Sequence, residues 1–398
     1  MTLWLAVLGC STPSEPPPAL LIAVDQLRAD ELGSYGNLPT DTPRIDRLGA
    51  RGTQFTRAYA PSASVGPSRA SLKTGMLPPQ HGHREEGPES VEYGEWVRRV
   101  GWNPCEVTID VSEFKKVNSV LDNCVSDRSR ITVVWVVRGE QSSLAQLDAV
   151  VGHVVETWDA THPDSMGAMV GLTGRADRLR VSSSVLLVDD ILRVPLMVWG
   201  PGQAVKWEVD EVVSIAALGR TMARSAGVPL ADTVGTSGRV YHESTVGYSQ
   251  FGTRPLTAFT RAEGRYVEGV YGRWYPAKGE VVRQFEDPQS GYPEASRELS
   301  ELIDALGPGT GLPETAWVQS VDPAERAQAV TLVSKLRSAL GRGRLGAAQR
   351  ILARLEGEFA GAPILPSLRT EVETQSERSE SSRSDAVPAA GIRSPAAP

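Results

Sequence analysis

The stretch Ala60-Pro61-Ser62-Ala63-Ser64-Val65-Gly66-Pro67-Ser68-Arg69-Ala70-Ser71-Leu72-Lys73-Thr74-Gly75 decides how the rest of the chain is read. Gly66-Pro67 opens a helix, because proline presets φ and lacks an N–H that a first turn leaves unbonded anyway. The free N–H groups of that turn favour an anion in front of them.

Upstream, Ala19-Leu20-Leu21-Ile22-Ala23-Val24-Asp25 is an unbroken apolar run ending in a carboxylate. A buried parallel strand delivers an acid to the carboxyl edge of a sheet in this way. Thr42 then caps a helix with Pro43 in its first turn. Downstream, Cys105–Ile109 alternates like a strand, Ile131–Val137 is a second buried strand, and Ala168–Thr173 is a third candidate. Between them Leu144, Leu147, Val151, Val154, Val155 and Trp158 recur at helical spacing, and Tyr93–Val100 is also amphipathic. Such alternation of strands and helices predicts a mostly parallel sheet covered on both faces. From Arg254 to about Asp304 the texture changes to short strands (Leu256–Thr260, Tyr266–Val270, Val281–Phe285) and a helix over Ser296–Leu306. Beyond Pro308-Gly309-Thr310-Gly311, Ala324–Leu340 and Leu345–Phe359 read as an antiparallel helical hairpin. The segment from Thr370 to Pro398 has almost nothing to bury and reads as disordered.

The 398 residues suffice for one large α/β domain and something smaller, and 40% hydrophobic with 22% charged residues supports a sizeable core. A net charge of −7 argues against nucleic acid as a partner. No run of eighteen apolar residues occurs that could span a membrane as a helix.

The signature stretch resembles that of the sulfatases: Cys or Ser, any residue, Pro, Ser or Ala, Arg, two more, an apolar pair and Thr-Gly. Pro67, Ser68, Arg69, Leu72, Thr74 and Gly75 fall in register, and Val65 stands at the nucleophile position. In that family the residue there becomes formylglycine, whose hydrate attacks sulfur. An isopropyl group has no lone pair, no labile proton and no such oxidation chemistry. Gln26-Leu27-Arg28-Ala29-Asp30, Thr42–Leu48 and Ile191–Gly202 also resemble sulfatase segments, so the likeness runs over roughly 19–305, in fragments. The chain is shorter than the family between the signature and the later metal segment.

The resemblance implies calcium in a cage of carboxylates and an amide, with Lys and His groups for sulfate and the leaving oxygen. The first metal segment, Asp-Asp in the family, is Asp25-Gln26 here. The second aligns with Leu172-Thr173-Gly174-Arg175-Ala176-Asp177, which puts Arg175 where a carboxylate belongs. A guanidinium about 4 Å from a divalent ion is repelled by roughly 8 kcal/mol at an effective dielectric near 20. Arg175 is therefore expected to replace the cation as the counter-charge of Asp25; a shifted alignment would bring in Asp177 instead. The family's Asp-Pro-His becomes Val137-Arg138-Gly139-Glu140-Gln141, and its Gly-Lys segment becomes Asn103-Pro104-Cys105-Glu106. His81-Gly82-His83 matches a His-Gly pair that is usually structural in the family, and His153, His162 and His242 read as surface histidines.

Val7-Leu8-Gly9-Cys10 resembles a bacterial lipobox with Cys10 as the acylated residue, followed by a Pro-rich tether through residue 18. The apolar run is short and no Lys or Arg precedes it, which leaves a start further upstream or a plain apolar tail as alternatives. An exported chain would allow Cys105 and Cys124 to form a disulfide; the alternative is two buried thiols.

The expected organisation is a signal and tether (1–18), a sulfatase-like α/β domain (19–253), a small α+β subdomain (254–307), a helical hairpin (312–369) and a disordered tail (370–398). The hairpin resembles one tetratricopeptide unit, which cannot establish a repeat array; a helical cap on the main domain fits equally. The degenerate site comprises Asp25, Gln26, Val65, Arg69, Gly174 and Arg175, with no metal and no formylglycine expected. The work expected of it is binding or scaffolding in a bacterial envelope, with a protein or an anionic ligand as partner and a membrane reached only through Cys10. The alternatives are a sulfuric or phosphoric ester hydrolase with a displaced nucleophile such as Ser64, and a decaying paralogue.

Overall fold

The structure is a computed structural model that describes residues 16–384 apart from 38–40, 85–103, 127–129, 140–141, 176–186, 202, 204–206, 228–237, 247–254, 269–272, 279–280, 283–288, 291–292, 307–322 and 363. Cys10 and its lipobox, most of the tether, Tyr93–Val100, Asp177, Pro308–Gly311 and residues 385–398 lie outside the described residues.

The main sheet is built from β1 (Ala19–Val24), β2 (Thr53–Tyr59), β3 (Cys105–Asp110), β4 (Ile131–Val137), β5 (Met166–Gly171), β6 (Arg193–Trp199), β7 (Trp207–Val209) and β8 (Val213–Ser214). Their order is β3-β4-β1-β5-β6-β2-β7, with β8 also on β2. The β3–β4, β4–β1 and β1–β5 pairs are parallel; β6 runs against both β5 and β2. Two reversals leave β2 pointing the same way as β5, so β1, β2, β4 and β5 all deliver their carboxyl ends to one edge.

The continuous apolar run of β1 has a simple cause: both of its faces are covered. Leu20, Ile22 and Val24 enter one core with Leu147, Val151, Val154 and Trp158 of α5 (Leu144–Thr161). Ala19, Leu21 and Ala23 enter the other with Leu72 of α2 (Val65–Thr74) and Leu218 and Met222 of α7 (Leu218–Ser225). The remaining body helices are α1 (Pro43–Arg51), α3 (Pro78–His81), α4 (Val117–Ser126) and α6 (Asp189–Leu192). Cys105 on the edge strand β3 and Cys124 on α4 are bridged, with Cα atoms 5.5 Å apart, as one of the two sequence readings expected.

A second, antiparallel sheet orders β13 (Val281–Val282), β12 (Arg273–Lys278), β11 (Gly264–Glu268), β10 (Leu256–Arg261) and β9 (Val240–Ser244), with β14 (Gln289–Ser290) on β12. α8 (Pro293–Ala305) packs Ala295, Leu299 and Leu302 against Phe259, Tyr266 and Trp274. The subdomain therefore begins before the boundary expected at 253/254, because β9 pairs along β10 from Val240 to Ser244. Its Val-Tyr-His-Glu-Ser sequence hides a fully buried strand, since His242 and Glu243 are interior only by virtue of partners on other segments.

The C-terminal hairpin is α9 (Pro323–Gly341) and α10 (Leu345–Glu358), followed by a third helix, α11 (Leu365–Ser384). The disorder expected from Thr370 onward is thus corrected as far as Ser384. Leu365, Leu368 and Val372 lock the first turns of α11 onto Leu336, Ala348 and Leu355. A nucleated helix then runs on through a polar sequence that would not start one.

Candidate functional site

The edge where β1, β4 and β5 end gathers the degenerate residues. The Asp25 N–H donates to Val136 O (2.9 Å) and the Leu172 N–H to Val24 O (2.9 Å), so the loops after the three strands leave side by side. β2 leads through Ala60–Ser64 into α2, whose first residue is Val65. Val65 packs against the core, half-buried, and presents no reactive atom.

Asp25 and Arg69 come together: Arg69 Nη2 lies 3.5 Å from Asp25 Oδ1, with side chains 29% and 14% exposed. Arg69 is thus a cation on Asp25, a pairing that the sequence reading, which looked to Arg175, did not name. Arg175 is fixed through its backbone, whose carbonyl accepts from Arg28 Nη1 at 3.1 Å. Gly174 is demanded by close packing: its N–H donates to Ile191 O (2.6 Å), and a Cβ there would lie 2.0 Å from Asp190 O. Gln26 takes a left-handed φ of 52° and gives its carbonyl to Arg138 Nη1 at 3.2 Å.

Sequence reasoning passed over a second layer beneath Arg69. Its guanidinium lies 4.7 Å from the centre of the Trp135 ring, and Lys73 Nζ lies 5.4 Å from the same ring. Glu106 joins them, accepting from Trp135 Nε1 (2.8 Å) and pairing with Lys73 (2.9 Å). The signal was present in pieces. A lysine interrupts the apolar pair of the signature, and a glutamate stands in the segment where the resemblance calls for Gly-Lys. The buried lysine and the reversed charge answer each other.

Neither His81 nor His242 is placed as an acid or base. His81 Nε2 is 2.9 Å from Ser71 Oγ, which has the outline of a nucleophile and its base. However, the His83 N–H donates to His81 Nδ1 (3.1 Å), so the neutral ring carries its proton on Nε2 and donates toward the serine. Burial, then the nearby His83 and Arg84, push the His81 pKa down to about 3. His242, read from sequence as a surface residue, is wholly buried between Ala60 O (2.7 Å) and Thr260 Oγ1 (2.7 Å), and burial lowers its pKa well below the ordinary value. Glu243 is also interior, against Arg84 (2.9 Å) and Tyr241 Oη (3.0 Å), and burial raises its pKa.

These shifts fix a pH dependence of stability. Below about 6.5 the unfolded chain protonates both histidines while the folded chain keeps them neutral, so folding is opposed by up to about 1.4 kcal/mol per pH unit for each. Glu243 and Asp148, both raised by burial, act in the other direction as pH falls toward the ordinary carboxylate range. The melting temperature is therefore expected to fall between pH 6.5 and 5.5. A flat or rising profile over that interval would contradict the buried, neutral histidines.

The calcium and formylglycine that the resemblance implies do not fit these residues. Gln26 brings no charge, and Gly174-Arg175 offers no carboxylate. Among the described residues no group of three His, Cys, Asp or Glu side chains is placed to hold a metal ion.

Comparison with known proteins agrees with the fold and with the first hundred residues. Residues 17–100 match the sulfatase family model. Over 81 residues the chain is 44% identical to bovine (Bos taurus) arylsulfatase A, covering 20% of this chain and 16% of that enzyme. Over 65 residues it is 48% identical to an N-acetylgalactosamine-6-O-sulfatase of Bacteroides thetaiotaomicron, covering 16% and 13%. The matched stretches are thus well under a quarter of either relative. Among solved structures, Ps i-CgsB in complex with k-i-k-neocarrahexaose superposes with a TM-score of 0.58 at 13% identity, covering 79% of this chain and 97% of that one. BT1596, a 2-O GAG sulfatase, superposes at 0.56 with 17% identity, covering 73% and 91%. At those identities the likeness is one of fold.

Proposed function

We propose that this chain, sulfatase-like in the sequence of residues 17–100 and in its fold, binds an anionic ester at the carboxyl edge of its sheet and does not hydrolyse it. The observation that carries this reading is Val65 at the head of α2, where the resemblance requires the nucleophile, with the Arg69 guanidinium still facing the same edge. The loss is wider than one atom. The metal segments no longer supply an acidic cage, and the His81 imidazole beside α2 donates its proton to Ser71.

A displaced nucleophile has little support. Ser64, at the N-cap position of α2, is 5% exposed and gives its N–H to Ser62 Oγ (3.2 Å), and Ser71 is fully buried. The bridged Cys105–Cys124 pair favours an oxidising compartment, and with the lipobox-like Cys10 it supports placement in a bacterial envelope.

Calorimetric titration with an aryl sulfate tests the reading. The wild type is expected to bind, and Arg69→Ala to weaken binding by roughly 10- to 100-fold, the worth of one charge-assisted contact. An unchanged affinity in Arg69→Ala, or no binding by the wild type, would overturn it.

A further inference from the structure

Three loops meet at the site edge, and a single buried cation ties two of them together. Arg138, the first residue after β4, has a side chain only 5% exposed. Its Nη1 reaches Glu31 at 3.0 Å and the carbonyl of Gln26 at 3.2 Å. Glu31 is 7% exposed and also accepts the Arg28 N–H at 2.9 Å, which closes the turn after β1. Gln26, inside that turn, is the one non-glycine residue at positive φ among the described residues. A left-handed glutamine persists only where surrounding contacts over-determine it.

We propose that Arg138 is the positioning residue of this edge, holding the β1 turn in the shape that a divalent cation would otherwise impose, and that the fold is consequently indifferent to divalent metal. The chemistry of the acceptors supports this. A main-chain carbonyl and a carboxylate turned toward one centre are oxygen ligands of the kind that hard cations gather. Here they gather a guanidinium, which brings a fixed charge and directed N–H donors. Nothing else in the arrangement explains why an arginine is buried there. Its Nε–H is interior and has no hydrogen-bond partner among the described residues, so the contacts that hold the side chain are those of Nη1. These loop contacts are the same whether or not an anionic ester is the ligand.

The test is thermal melting of the full chain. Wild-type protein is expected to melt at the same temperature, within about 1 °C, in EDTA and in millimolar calcium chloride. Arg138→Met should melt lower by roughly 5 °C or more, since it strands Glu31. Arg138→Lys, which keeps the charge and loses the fork, should fall in between.

A double-mutant cycle separates positioning from packing. Gln26→Gly should raise the melting temperature of the wild type by relieving the left-handed backbone, and should not raise that of Arg138→Lys, whose turn is free to relax. A calcium-induced rise in the wild type, an unchanged Arg138→Met, or a Gln26→Gly effect equal in both backgrounds would overturn the proposal. If Arg138→Met does not fold, the calcium titration of the wild type and the Lys cycle decide it.

Discussion

Val65→Cys, produced in a host that makes formylglycine, turns over no aryl sulfate above background. Through Gly66, Pro67, Ser68 and Arg69 the variant presents the Cys-x-Pro-x-Arg pattern that the resemblance associates with modification. The new hydrate would stand at the head of α2, facing Arg69 and the helix N–H groups. It would still lack a cation to lower its pKa and to take up the charge on sulfate. His81 cannot protonate a leaving group, because it is buried, neutral and turned toward Ser71. Groups of this kind each contribute factors of roughly 100 to 1,000 in rate. Losing a cation and an acid together leaves a deficit of about 10⁴ or more. Mass spectrometry for the aldehyde, followed by a turnover assay, checks the two steps separately. Turnover by the modified single mutant would show that the ligands have been misplaced. Gln26→Asp and Arg175→Asp in the same chain are needed at least before calcium can bind.

Arg265→Met costs roughly 3–5 kcal/mol of stability. Arg265 is 0% exposed and pairs with Asp189 at 2.6 Å, joining β11 of the second sheet to α6 at the entrance of β6. It also donates to Thr260 Oγ1 (2.7 Å), which lies 2.7 Å from His242 Nε2, and to Leu187 O (3.1 Å). The substitution leaves Asp189 interior and unmatched by that guanidinium, and it removes a donor from the network that holds Ala60 in front of the signature helix. Urea unfolding measures the loss. The double substitution Arg265→Met, Asp189→Leu should recover part of it, because a missing pair costs less than half a pair. A single mutant within 1 kcal/mol of wild type would contradict the account of how the two sheets are joined.

The fold was legible because its information is local. An apolar run ending in Asp25, a Pro-opened helix and the Ile191–Gly202 segment each carry their geometry within a dozen residues. What stayed hidden depends on distant partners. β2 and β9 are rich in Thr, Gln, Arg, His and Glu, and they are buried because other segments satisfy those groups. The same limit applies at the site. The absence of a nucleophile at Val65 is a property of one residue and could be read directly. That Arg69 reaches Asp25 depends on where α2 arrives against the end of β1, which no single stretch of sequence states. Arg138 was visible only as a departure from a pattern. Its role needed the left-handed Gln26 and the buried Glu31 beside it.

The central claim is that this edge binds without cleaving. It is tested most directly by incubating wild-type protein in excess over an aryl sulfate with calcium present, then quantifying ester and free sulfate. The account predicts that the ester is recovered intact at the rate of the protein-free control. Calcium-dependent release of sulfate that is abolished by Asp25→Ala would contradict it.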